Sequence, residues 1–132
     1  MKICGDFDDF FIDGIFNSSP IGYYQLLNIF RFLKKRDFYL SIANIVSFNK
    51  SYELYEKVFK EFLHFFEMYN IDINFSEKSI MCDYEKSLRV AIKNNFYKIK
   101  LRGCYFHFAK AIYKKCKDYN LFTKDKKKKQ IF

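Results

Sequence analysis

No apolar run in the 132 residues approaches the roughly 20 that a membrane-crossing helix needs. The opening stretch from Met1 to Asp9 carries one lysine and three aspartates, so the apolar segment of a secretory signal is missing as well. Nucleus or cytoplasm is therefore the expected location, with no membrane as a partner. The four cysteines (Cys4, Cys82, Cys104, Cys116) lack the spacing of a disulfide framework, and reduced thiols are expected. There is no internal repeat. One proline and four glycines leave no linker, and the only low-complexity stretch is a lysine run near the end.

What remains is rich in material for a core. Half the residues are apolar, with 18 phenylalanines and 11 tyrosines, which excludes a disordered chain. The length fits one domain, read as residues 1–121 followed by a Lys-rich tail, 122–132. The formal charge is +9, of which Lys124 and Lys126 to Lys129 against Asp125 supply +4. A basic domain of this kind attracts polyanions and gains from counterion release on phosphates. The lysine run itself reads first as a solvated tail and second as a non-specific DNA contact.

The apolar pattern predicts three strands, Phe10 to Phe16, Tyr23 to Phe32 and Phe38 to Phe48, joined by a turn or loop from Asn17 to Gly22, which contains Ser18, Ser19 and Pro20, and a charged turn at Lys34 to Asp37. Short connections make these an antiparallel meander. The period then changes: Tyr55, Val58, Phe59, Phe62, Phe66 and Tyr69 form one face of a helix from Tyr52 to Tyr69, with Ser51 as N-cap. A buried strand, Ser79 to Cys82, precedes a helix from Tyr84 to Phe96 with Tyr84, Leu88, Ala91 and Ile92 inward. Tyr97 to Tyr105 alternates as a strand. Phe108 to Tyr119 forms a last helix with Phe108, Ile112, Cys116 and Tyr119 inward. Tyr23, Tyr24, Phe62, Phe65 and Phe66 read as core, and His64 as solvated. The order βββαβαβα predicts an α/β fold. Its mixed sheet has a three-strand antiparallel meander followed by two parallel strands, with helices on its faces; this order is found in the ribonuclease H-like fold.

Two aspartates stand out. Asp13 lies within Phe-Phe-Ile-Asp-Gly-Ile-Phe. An Asp-Gly hairpin turn is the simplest alternative, but only Ile15 and Phe16 would remain as return strand. A carboxylate within an apolar strand calls for a partner, and a cation is one. Asp83 follows a strand and precedes a helix, which suits both an N-cap and a ligand, because ligands of α/β sheets gather at the carboxyl ends of strands. Two carboxylates converging from neighbouring strands would suit magnesium or manganese. Cys104 and His107 form one C-x2-H pair, half a tetrahedral zinc site. With no second pair at suitable spacing, zinc is not expected, and a buried thiol beside a hydrogen-bonded histidine is the simpler reading.

These motifs together resemble the MULE (Mutator-like) transposase domain. Phe11-Ile-Asp-Gly-Ile-Phe-Asn-Ser-Ser-Pro20, followed by Tyr23-Tyr-Gln-Leu-Leu-Asn-Ile29, is similar to its Asp-Gly-Thr-Phe type opening and Tyr-Gln strand. Asn49-Lys-Ser-Tyr-Glu-Leu-Tyr55 is similar to its Asn-Lys approach to a helix. Ile80-Met-Cys-Asp-Tyr-Glu-Lys-Ser87 resembles its second-acid motif, and Gly103-Cys-Tyr-Phe-His-Phe108 with Ala111-Ile-Tyr113 its Gly-Cys-x-Phe-His segment. Several motifs in order are more specific than any one. The resemblance implies a ribonuclease H-like fold and a DDE triad holding two divalent metals. It also implies strand cleavage and transfer at transposon ends. Asp13 would be the first acid and Asp83 the second, while Cys104 and His107 match a signature whose role stays open.

Ile15 stands where the family has threonine. The similarity ends near Leu121, before the helix that brings the third acid, and Glu85 belongs to the second-acid motif rather than the triad. The expectation is a fragment truncated before its third acid, unable to cut DNA alone and leaving apolar surface uncovered. The alternatives are a non-catalytic module that holds DNA or pairs with a full-length transposase, and a complete nuclease using Asp13, Asp83 and Glu85.

Overall fold

The computed structural model describes residues 9–15 and 19–122. Cys4, the expected strand end at Phe16, the Asn17 and Ser18 end of the first turn and the lysine run from Lys124 fall outside the described residues. The elements follow the expected order: β1 (Asp9–Ile15), β2 (Gln25–Leu33), β3 (Phe38–Ser47), α1 (Tyr52–Met68), β4 (Ser79–Cys82), α2 (Lys86–Asn95), β5 (Lys100–Gly103) and α3 (Tyr105–Asp118). They build one five-stranded sheet in the order β3-β2-β1-β4-β5. β1, β2 and β3 are antiparallel neighbours, whereas β4 runs parallel to both β1 and β5.

Strand alternation divides the sheet into two unlike faces. Phe10 and Ile12 of β1, Ile29 of β2 and Ile80 of β4 point to one side and are almost fully buried. There they meet Tyr55 and Phe59 of α1 and Leu88, Ala91 and Ile92 of α2, with Phe96 closing the cluster. Phe59 has no exposed surface and packs edge-to-face on Phe96 at 5.4 Å. The other side carries Phe11, Asp13, Phe30 and Met81. No helix among the described residues buries it; α3 has no buried residue.

The helix ends have local causes. The Ser51 hydroxyl accepts from the Leu54 amide at 3.3 Å, as an N-cap should. α1 stops at Asn70, which adopts a left-handed φ of 51°. Asn70 N–H donates to the Glu67 carbonyl and Ile71 N–H to the Phe66 carbonyl. That pair of bonds is the Schellman closure, which asparagine tolerates because its short polar side chain suits left-handed backbone. α3 ends identically at Asn120, with Leu121 N–H on the Cys116 carbonyl.

Several expectations need correction. α3 starts at Tyr105 rather than Phe108, and its presumed inner face is open: Phe108 is 48% exposed, Ile112 49% and Tyr119 69%. Tyr69 and Tyr84 are exposed too, because Tyr69 is the C-cap at the end of α1 and Tyr84 precedes α2 instead of belonging to it. Of the aromatics read as core, Phe66 is buried and Phe62 packs against the core, while Tyr23, Tyr24 and Phe65 are exposed. Tyr23 instead stacks on Phe48 at 4.7 Å. His64 is exposed, as expected, beside Glu67 at 3.9 Å.

Candidate active site

β1 and β4 deliver the two aspartates to one place. Phe11 pairs with Met81 in the parallel register. Two residues further along each chain stand Asp13 and Asp83, at matching positions beyond the carboxyl end of β4. Both line a cleft of about 510 Å³ on the sheet face opposite α1 and α2, together with His107, Cys104 and the apolar side chains of Phe11, Phe30 and Met81. All four residues singled out for chemistry in the sequence therefore border the same cavity.

Asp13 does not turn a hairpin. The strand continues through Gly14 to Ile15, with Asp13 opposite Asn28 and Gly14 opposite Leu27. Nor is Asp13 a buried carboxylate in want of a counter-charge, as the apolar flanks suggested. Phe10 and Ile12 point into the core, and Asp13, on the alternate face, keeps 52% of its side chain exposed. The argument from desolvation falls away, and the case for Asp13 rests on what surrounds it. His107 Nε2 lies 3.6 Å from Asp13 Oδ1, an ion pair whenever the imidazole is protonated. Next to Asp13 on β2, Asn28 is 6% exposed and its Oδ1 has no hydrogen-bond donor among the described residues.

Asp83 is not the N-cap of α2. That position belongs to Glu85, whose side chain makes no capping bond. Asp83 Oδ1 instead accepts from the Glu85 amide at 2.9 Å, a turn ahead of the helix. The Glu85 carboxylate is turned away from the cleft. Tyr55 of α1 donates its phenol to Glu85 Oε2 at 3.1 Å, and Ser87 Oγ bonds Oε1 at 2.9 Å. Gln25 Nε2 of β2 in turn donates to the Tyr55 oxygen at 3.0 Å and to the Asn49 carbonyl at 3.3 Å. Burial holds the Tyr55 phenol above its ordinary range, with the Gln25 bond acting against this and the Glu85 charge with it. Sequence reading missed this chain of side chains. Its only trace is that Gln25, Tyr55 and Glu85 each sit inside a separate motif, and nothing in the spacing says that the motifs touch.

Cys104 is the N-cap of α3, so Cys104 and His107 stand at the start of a helix rather than at the end of a strand. The Cys104 amide donates to the Cys82 carbonyl at 2.9 Å, which ties the start of α3 to the end of β4. Cys104 is part-exposed, so the expected buried thiol of this pair is not found; the buried thiol nearby is Cys82, whose pKa is pushed up to about 11 by that burial. Gly103, just ahead, leaves the space that the Tyr84 phenol fills; a Cβ there would collide with it.

A model of the MULE transposase domain matches residues 10–111. The chain belongs to this family. The matched span of the transposase domain includes Asp13, Asp83, Cys104 and His107, and it takes in β1 from Phe10 and the whole of β2 to β5. No curated protein matches the chain at a significant level. No described helix of this transposase domain is long and apolar enough to cross a membrane.

Proposed function

We propose that this domain is a ribonuclease H-like, DDE-type transposase domain, in which Asp13 and Asp83 share a divalent cation, magnesium or manganese, at transposon-end DNA. The sheet order 3-2-1-4-5, with β2 alone antiparallel to β1 and β4 parallel to it, supports the fold assignment. One observation carries the functional reading: two carboxylates from adjacent parallel strands border one cleft with the His107 and Cys104 of the family signature. The carboxylate oxygens of Asp13 and Asp83 are the hard donors that magnesium and manganese prefer. Bound there, such a cation would supply charge neutralisation on a phosphodiester and lower the pKa of water.

The donor set is short for catalysis. Among the described residues no cluster of three or more His, Cys, Asp or Glu side chains is arranged to hold a metal. Glu85, the nearest further acid in sequence, is committed to Tyr55 and Ser87. The reading is thus a metal-binding half-site without strand cleavage of its own. His107 would keep Asp13 oriented from α3, and the open apolar wall of Phe11, Phe30 and Met81 would be covered in a complete active centre.

A nicking assay tests this. Supercoiled DNA with the 132-residue chain and magnesium or manganese should remain uncut. Nicking that disappears in Asp13→Asn would instead make the chain a complete nuclease. The competing reading, a module that holds DNA without ever binding metal, is favoured only by the charge of +9.

A further inference from the structure

The geometry points to Glu85 as a positioning residue: its carboxylate, gripped from inside the fold by Tyr55, fixes the turn whose amide aims Asp83 into the cleft. The inference rests on reading Asp13 and Asp83 as metal ligands, and it assigns Glu85 a role opposite to that of a third ligand.

Two residues apart in an extended strand, Asp83 and Glu85 would face the same way and form an obvious acidic pair. They do not, because the chain leaves β4 at Cys82 and turns. Asp83 Oδ1 takes the Glu85 N–H at 2.9 Å, and the Glu85 side chain goes to the core side of the sheet. Its two oxygens receive the Tyr55 O–H at 3.3 and 3.1 Å, and Oε1 also receives Ser87 Oγ at 2.9 Å. Tyr55 is 1% exposed and Gln25 likewise 1%, so this anchor is set in the core rather than at the surface. The hydrogen bonds run in one sense: Gln25 amide to Tyr55 oxygen, Tyr55 proton to Glu85 carboxylate, Glu85 amide to Asp83 carboxylate. A charged acceptor at the end of a buried phenol makes a strong bond, roughly twice a neutral one. Turning Glu85 toward the cleft would leave the Tyr55 hydroxyl buried without an acceptor. Meanwhile one Asp83 oxygen is held by the turn, and the other is left for the cleft. Outer groups that orient a metal's carboxylate commonly change its affinity 10- to 100-fold when removed.

Manganese binding, followed by the loss of the free-ion EPR signal, separates the roles. Wild type should bind, and Asp13→Asn should not. Glu85→Gln keeps an oxygen for Tyr55 while losing the charge, and should bind within about twofold of wild type. Glu85→Ala and Tyr55→Phe should each bind about tenfold more weakly. Tyr55→Phe keeps the buried ring, so it serves if Glu85→Ala does not fold. Weakening in Glu85→Gln equal to that in Glu85→Ala would make Glu85 a ligand and overturn the proposal. Unchanged binding in both Glu85→Ala and Tyr55→Phe would overturn it as well. If wild type itself fails to bind, or Asp13→Asn binds equally, the metal reading fails. The latch is then decided by hydrogen exchange at the residue-85 amide. Protection in wild type and Glu85→Gln, lost in Glu85→Ala, supports it; an unprotected wild-type amide removes it.

Discussion

Asp13 and Cys82 show how much depends on which way a side chain points. Both sit on central strands, yet Asp13 is open to the cleft and Cys82 is 1% exposed. For Cys82 the consequence is measurable. Burial raises its thiol pKa from the ordinary 9.0 to about 11, so the folded protein holds that proton more tightly than the unfolded chain does. The stability gained is whole below pH 9 and falls as pH climbs from 9 toward 11. Melting temperature should decline over that window, and Cys82→Ala should make the decline shallower. At pH 8.5, iodoacetamide should modify Cys104 and Cys116 before Cys82, with all three equal in denaturant; equal rates in the folded protein would contradict the burial. The two aspartates were legible in the sequence because each interrupts an apolar strand or ends one. Glu85 was not, since the partner that redirects it, Tyr55, is thirty residues away and reads simply as part of a helix face.

At the scale of elements, α1 and α3 differ more than their sequences do. Each has apolar residues at three- and four-residue spacing. α1 lies against the sheet face that carries Phe10, Ile12 and Ile29, so its stripe is buried. α3 begins beside the opposite face, where only its first residues meet the cleft, so its stripe stays in solvent. Periodicity reports that a helix has an apolar side; it does not report whether the fold supplies a surface for it. Thermal and urea unfolding should therefore separate them. Phe59→Ala should cost about 3–5 kcal/mol, since it empties a fully buried site. Ser51→Ala should cost about 1 kcal/mol through the lost cap. Ile112→Asn in α3 should change stability by less than about 0.5 kcal/mol. A large loss from Ile112→Asn would mean that α3 is packed in solution. β4 was read correctly to the residue because its three apolar residues, Ile80 to Cys82, follow Ser79 and are flanked by charged residues at Lys78 and Asp83. The boundaries of β5 and α3 were blurred because Ile99 to Arg102 alternates aliphatic and basic residues while Tyr105 to Phe108 is a run of aromatics and histidine that fits strand or helix.

At the scale of the whole molecule, spacing indicated strand direction rather than strand order: short links make the first three strands an antiparallel meander, and α1 and α2 each carry the chain back to add a parallel strand. Spacing does not say which sheet face the helices choose, and that choice decides everything about the site. With α1 and α2 on one side, Asp13 and Asp83 are left together on the other. The net charge of +9 belongs to this scale as well. DNA retention by filter binding should weaken steeply and log-linearly with salt; a flat salt curve or no retention would remove DNA as a partner of this chain. The most direct test of the account is a manganese titration of three proteins side by side: wild type, Asp13→Asn and Asp83→Asn. If the two carboxylates grip one ion, wild type binds a single equivalent and each substitution alone abolishes it. Retention of that equivalent by either variant would mean that the acids do not share a cation, and the account would be wrong at its centre.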